Sequence, residues 1–299
     1  MGKGTIKKIA FLFAPAILFV TPLNSFAIEA LLMDTFVEII IKDKRADSKK
    51  LEREAEALMK NLEKKFNYHE PESEISRINR ISPGERFAVS ENMYDALTIA
   101  KKINKATHGA FDAALGTGIW SLDPGTREIF FDTESVNLNL GGFAKGFIVD
   151  EGIKFLAARG VENAMINAGG DLYCLGDSDG EAGGWNIGIR DPLEPKRIIA
   201  SFTVRNEGVA TSGDYERHGH IVDPHTGEVA KKKAESVTVV AKDCAISDAL
   251  ATALYILGPE EGLSTVEAIK GAECYIIGKN GETYVSSGFK QMGLTKVGQ

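Results

Sequence analysis

Three clusters in the sequence hold residue types that can do chemistry. In Leu138-Asn139-Leu140-Gly141-Gly142-Phe143-Ala144-Lys145-Gly146, a glycine pair directly precedes a segment of helical pattern. Glycine lets main-chain groups take unusual angles and come close to a ligand. A helix start offers free N–H groups and Lys145 adds a positive charge, so an anionic phosphate fits there. A plain strand-to-helix turn accounts for the same residues. In Ile246-Ser247-Asp248-Ala249-Leu250-Ala251-Thr252-Ala253, Asp248 and Thr252 stand four apart and so share one helix face, among Ala and Leu that read as buried. A carboxylate and a hydroxyl facing inward need partners. One solution is Mg²⁺, a hard cation that takes oxygen ligands and shares them with phosphates. The other is Asp248 favoured by the dipole near a helix start, with Thr252 bonding back to a carbonyl of its own helix. The third cluster runs Ala210-Thr211-Ser212-Gly213-Asp214-Tyr215-Glu216-Arg217 and then His220-Ile221-Val222-Asp223-Pro224-His225-Thr226-Gly227, and three of the five histidines lie between positions 218 and 225. Histidine suits proton transfer near neutral pH. No second His or Cys pair at zinc spacing accompanies it, and Asp223-Pro224 with Thr226-Gly227 marks a turn in which His218 and His225 read as turn residues.

The elements that must position these clusters can be read from periodicity. Phe36 to Ile41 reads as a strand, and Asp47 can cap a helix running to about Phe66 with Leu51, Ala55, Leu58 and Leu62 on one stripe. Ser90 can cap a second helix ending near Gly109, a third spans Ala144 to Ala158, and a fourth spans Ser247 to Leu257. Ser236 to Ala241 is a strand, and two short strands flank Asn280-Gly281, a strong hairpin signal. Strands and helices mix without regular βαβ alternation. The expectation is α+β, with a mixed, largely antiparallel sheet flanked by helices.

The bulk numbers set limits. Lys3, Lys7 and Lys8, the twelve-residue apolar run Ile9 to Val20, and the Ser25-Phe26-Ala27 end have the form of an export signal. Such a run falls short of the roughly 20 residues a membrane helix needs. Residues 1–27 are therefore expected to be a signal peptide and 28–299 the mature domain, periplasmic or otherwise exported and free of a membrane span after cleavage. A net charge of −7 with interspersed signs argues against a nucleic-acid partner. Cys174, Cys244 and Cys274 are odd in number and lack CxxC spacing, which suits small buried hydrophobes better than a metal or redox role.

Taken together and in order, the segments SEISRIN, GAFD, LGGFAKG, NAGGD, ATSGDYER, HIVDPHTG and SDALATA resemble the ApbE-type FAD:protein FMN transferase family, from about Met33 to the C-terminus. The resemblance implies an ApbE-like fold and Mg²⁺-dependent attack on FAD by a threonine hydroxyl of an acceptor protein, with AMP released. By position, Asp248 and Thr252 resemble Mg²⁺ ligands, with the main-chain carbonyl of Gly142 as a third. Lys145 resembles a phosphate contact, His220 the catalytic base, and Met33, Tyr68, Ala110, Phe111, Asp112, Asn139 and Ile221 the residues around FAD. The acceptors it implies are exported FMN-binding domains of ion-pumping redox complexes. Two positions depart from the family pattern: Met33-Asp34-Thr35 replaces Met-Gly-Thr, and Asn139 replaces Asp before the LGG turn. The same site with water as acceptor would make a Mg²⁺-dependent FAD pyrophosphatase releasing FMN and AMP, and without turnover a flavin-binding protein.

Overall fold

The structure is a computed structural model that describes residues 17–19, 28–178, 183–194, 196–213, 219 and 221–297. Its first half contains β1 (Ile17–Phe19), β2 (Ile28–Leu32), β3 (Thr35–Ile41), α1 (Ser48–Phe66), α2 (Glu74–Ile78), β4 (Arg86–Ala88), α3 (Glu91–Ala106), β5 (Trp120–Asp123) and β6 (Glu128–Phe131). Then follow α4 (Ala144–Ala157), β7 (Ala164–Ala168), β8 (Asp171–Leu175), β9 (Trp185–Arg190), β10 (Ile198–Val204) and β11 (Glu207–Ser212). The chain closes with β12 (Ala234–Ala241), α5 (Cys244–Leu257), α6 (Pro259–Glu267), β13 (Ala272–Gly278), β14 (Thr283–Val285) and β15 (Thr295–Lys296).

The central sheet has the order β14-β13-β12-β11-β8-β7-β3-β2. A four-stranded sheet, β1-β9-β10-β15, and a three-stranded one, β4-β6-β5, complete the fold. Every described strand pairing is antiparallel, so the α+β, largely antiparallel architecture expected from the sequence is the one observed.

Alternation along the strands sorts side chains into two cores. On β3, β7 and β12, Val37, Ile39, Ala164, Ile166, Val237 and Val239 face a helical layer that includes α1, α4 and α5. Ile40, Met165 and Val240 point the other way, against Trp185, Ile187 and Phe202 of the four-stranded sheet. Helices, central sheet and second sheet thus form three layers. β1 falls inside the segment expected to be a signal peptide, and it pairs with β9 through Ile17–Ile189, Leu18–Gly188 and Phe19–Ile187. The three cysteines are unbonded and buried, consistent with their reading as small hydrophobes.

The hairpin joining β2 and β3 explains one departure in the sequence. Met33 and Asp34 are its two turn residues and both take left-handed angles, φ 53° and 58°. That is the backbone of a tight two-residue hairpin turn, and Asp tolerates it better than most residues other than Gly or Asn. The neighbouring Thr35 side chain packs on Gly169, at a spot where a Cβ on residue 169 would collide with it.

Candidate functional site

α4 and α5 run antiparallel in contact, and the residues able to do chemistry collect at the seam between them. The turn before α4 is shaped by Asn139, whose side-chain oxygen accepts the Gly141 N–H at 2.8 Å. Phe143 and Ala144 then donate to the Leu140 carbonyl and start the helix. At Gly142 a Cβ would lie 3.3 Å from the Phe111 ring, a tight contact that the ring would have to ease by a few tenths of an ångström. Phe111 itself stacks edge-on against Phe143, with centroids 5.6 Å apart.

Across the seam, α5 is apolar on almost every side because it packs on both the sheet and α4. Two of its polar side chains reach α4 and the turn before it. The Thr252 hydroxyl donates to the Gly142 carbonyl at 3.2 Å. Asp248, a residue only 4% exposed, accepts the Gly146 N–H through its carboxylate at 3.0 Å. Thr252 therefore bonds across the seam to Gly142. Asp248 acts as a cap for the neighbouring helix; it lies a full turn inside its own, since α5 begins at Cys244 and not at Ser247.

Gly146 lets the helices come this close. A Cβ there would sit 2.5 Å from the Cys244 carbonyl oxygen and 2.7 Å from its carbon. These are backbone atoms and cannot swing aside. Gly146→Ala is expected to destabilise the fold by about 1–3 kcal/mol, as overpacking does, seen as a fall in Tm of roughly 2–12 °C in thermal unfolding. An unchanged Tm would mean that the helices part without cost.

Lys145 points to the start of β8, where its ammonium pairs with Asp171. The Asp171 side chain is almost fully buried and that of Lys145 about a third exposed. Asp171 ends the NAGGD segment. Its partnership with Lys145 was invisible in sequence, because 26 residues separate the two. Asp150, on α4, was also not singled out. Its oxygens accept the N–H groups of Cys244 and Ala245 at 2.8 and 2.9 Å. Burial pushes its carboxyl up to about 7 against the opposing pull of those two N–H groups.

The other expected FAD contacts have local partners. Ala110 and Phe111 are buried, and both oxygens of Asp112 hold their own loop, accepting from Ala114 and Gly116 at 2.9 Å. The Tyr68 hydroxyl accepts from Asn137 at 2.7 Å. Asn79, the last residue of SEISRIN, clamps Leu138 with two bonds of 2.8 Å and so fixes the segment leading to the Gly141-Gly142 turn. The Met33 N–H donates to Glu63 at 2.8 Å. Ile221 is buried, and the turn beyond it lies on the Asp112 loop, with Pro224 against Gly116 and the His225 ring against Gly109. His218 and His220 lie outside the described residues.

The donor set at the seam bears on a metal. Among the described residues no cluster of three His, Cys, Asp or Glu side chains could hold an ion. The Gly142 carbonyl, Thr252 hydroxyl and Asp248 carboxylate instead supply three oxygens of different kinds and one formal charge. That set fits Mg²⁺, which keeps several positions for water and phosphate; soft or nitrogen-seeking metals would want Cys or His.

The model of the ApbE family matches residues 33–129 and 119–276. An FAD:protein FMN transferase of Vibrio cholerae is 30% identical over 286 residues, covering 82% of this chain and 85% of that protein. One from Klebsiella pneumoniae is 27% identical over 77% of this chain and 83% of its own length. The solved flavin transferase ApbE from Vibrio cholerae superposes with a TM-score of 0.80 at 28% identity, over 91% of this chain and all of that one. The ApbE protein from Thermotoga maritima gives 0.81 at 26% identity, over 90% and 99%. With the family model covering most of its length and the fold superposing on solved relatives, this chain belongs to the ApbE family.

Proposed function

We propose that the chain is a Mg²⁺-dependent FAD:protein FMN transferase acting on a threonine hydroxyl of an acceptor protein. The observation that carries this reading is the α4–α5 seam, where the Thr252 hydroxyl bonds the Gly142 carbonyl and, about one turn along, the Asp248 carboxylate accepts the N–H of Gly146, the residue after Lys145. The names of the relatives support the activity. The oxygen donors and the charge beside them support the metal and a diphosphate substrate.

In this reading the acceptor hydroxyl oxygen bonds to the FMN-side phosphorus of FAD, the bond from that phosphorus to the bridging oxygen breaks, and AMP leaves with that oxygen. Gly142, Asp248 and Thr252 would hold Mg²⁺, which when bound spreads the charge of the diphosphate. Lys145 supplies a positive charge for a phosphate oxygen. His220 takes the proton from the hydroxyl, which is a weak nucleophile without a base. Phe111 and Phe143 close off the apolar side of the turn. Asn139 builds the Gly141-Gly142 turn as an Asp would, through one accepted N–H, but without adding negative charge beside the phosphates.

The test is incubation with FAD and Mg²⁺, with and without an exported FMN-binding domain. A flavin-fluorescent acceptor band is expected. Free FMN without labelled acceptor would make the chain a pyrophosphatase, and unchanged bound FAD would make it a carrier.

Lys145 offers a second check. Lys145→Met should raise KM for FAD by roughly 10–100-fold, the worth of a hydrogen bond to a charged group. It should also lower Tm, because Asp171 would be left buried without its cation. Adding Asp171→Asn should recover stability but not KM. Joint recovery of both would show that Lys145 serves only the fold.

Export follows from the same reading, since the acceptors implied are exported. Cleavage after Ala27 would remove β1 and leave β9 as a sheet edge. Among the described residues no helix is long and apolar enough to cross a membrane. N-terminal sequencing of the exported protein should begin at Ile28; an intact Met1 on membrane-bound material would overturn the assignment.

A further inference from the structure

The polar contacts across the α4–α5 seam form a ladder. Gly142 meets Thr252, Gly146 meets Asp248, and Asp150 meets Cys244 and Ala245. Each step is four residues forward on one strand of the seam and four back on the other, close to one turn of each helix. The first two rungs hold the three oxygens assigned above to Mg²⁺. The third lies one turn further along and holds none of them. We infer that Asp150 is a positioning residue: it fixes the register of α5 against α4, and so sets where Asp248 and Thr252 stand relative to the Gly142 carbonyl.

Three observations support this. First, α5 has no cap of its own, because Asp243 stands at the N-cap position and makes no side-chain cap bond. The open N–H groups of Cys244 and Ala245 are taken by Asp150, a residue about 94 positions earlier in the chain. Second, the exchange is reciprocal. A carboxylate from α5 caps the start of α4 through Gly146, and a carboxylate from α4 caps the start of α5. Two such opposed clamps resist sliding in either direction, which a single clamp does not. Third, Gly146 sits between them with its backbone against Cys244, so the helices have little room to adjust. The charged or titratable groups around Asp150 are Asp243, Lys154, Cys244 and Tyr173.

The inference rests on the metal assignment proposed above, and its test separates the two. Asp150→Asn keeps the volume but turns one acceptor into an N–H group facing another N–H. Asp150→Glu keeps charge and acceptors but is longer by one methylene, so it cannot leave α5 in place. Mg²⁺ dissociation constants are measured by titration calorimetry with FAD present, well below each variant's Tm, and FAD binding without metal by flavin fluorescence. Both variants are expected to bind Mg²⁺ about 10–100-fold more weakly, the usual loss when a group that orients a ligand is changed, with FAD binding within about threefold of wild type. If Asn weakens the metal and Glu does not, Asp150 acts by charge and the inference is wrong. If only Tm falls, its role is confined to the fold and the inference is wrong. Should the Asn variant not fold, the Glu variant decides alone. A wild-type protein that binds no Mg²⁺ would sink the metal assignment itself, and the inference with it.

Discussion

Asp248→Ala is expected to abolish Mg²⁺-dependent turnover of FAD. Of the three oxygens at the seam, the Asp248 carboxylate alone carries formal charge, and it is nearly buried. Losing a group that merely supports a metal ligand costs about 10–100-fold in affinity or activity. Losing the one anionic group proposed to hold the metal should exceed that, so a fall of more than ~100-fold is the expected result. Thr252→Val should do less, because it removes a neutral hydroxyl. The substitution at 248 has a second consequence that the experiment must separate. It leaves the Gly146 N–H without its acceptor, at a cost of about 1–3 kcal/mol, so some activity could be lost through the fold. Asp248→Asn resolves this. The amide oxygen can still accept from Gly146 while the charge is gone. Initial rates across a Mg²⁺ titration, with Tm as the control, should show both variants inactive and the Asn variant the more stable. Full activity with ordinary Mg²⁺ dependence in Asp248→Ala would rule out the metal site at the seam.

Residue pattern alone made part of this site legible. The four-residue spacing of Asp248 and Thr252 on an apolar helix put both on one face, and the structure turns that face toward Gly142. The Gly141-Gly142 turn was legible for a similar reason: local backbone chemistry leaves local marks. What sequence could not show is what crosses the fold. α5 begins a turn before Ser247 because its cap is Asp150 on another helix, while the residue of capping type beside it, Asp243, makes no such bond. Asn79 lies in a segment quoted only for its pattern, yet in the structure it ends a short helix and clamps Leu138, 59 residues on. Asp171 lies in a noticed segment, but its meaning depends on Lys145. The four-stranded sheet was missed as well, since its apolar side chains pack on the far face of the central sheet, and no period within one strand reveals a second layer. The hairpin at Met33-Asp34 lacks the usual Asn-Gly signal and is imposed by the pairing of β2 with β3.

His220→Ala is expected to slow FMN transfer by about 10²–10⁴, the usual contribution of a positioned base, while FAD binding and Tm stay near wild type. His220 lies outside the described residues, but the scaffold on either side of it does not. Gly219 takes a left-handed φ of 69°. Ile221 is buried, and its carbonyl accepts the Ala230 N–H at 2.8 Å. Val222 bridges to Val229, and the turn between them closes through Asp223, whose N–H donates to Glu228 and whose carbonyl accepts from Gly227. Pro224 packs on Gly116. All of these contacts are made by residues other than 220. His225 provides the contrast: its ring lies against Gly109 and its Nδ1 is 3.3 Å from Asp223. His225→Ala should therefore disturb the turn modestly and leave the chemical step intact. Single-turnover transfer with FAD and acceptor, alongside FAD binding by fluorescence, separates the two cases. Added imidazole should restore part of the rate in His220→Ala and none in His225→Ala. Undiminished transfer by a well-folded His220→Ala protein would remove the base role from this residue and leave the acceptor hydroxyl to be deprotonated elsewhere.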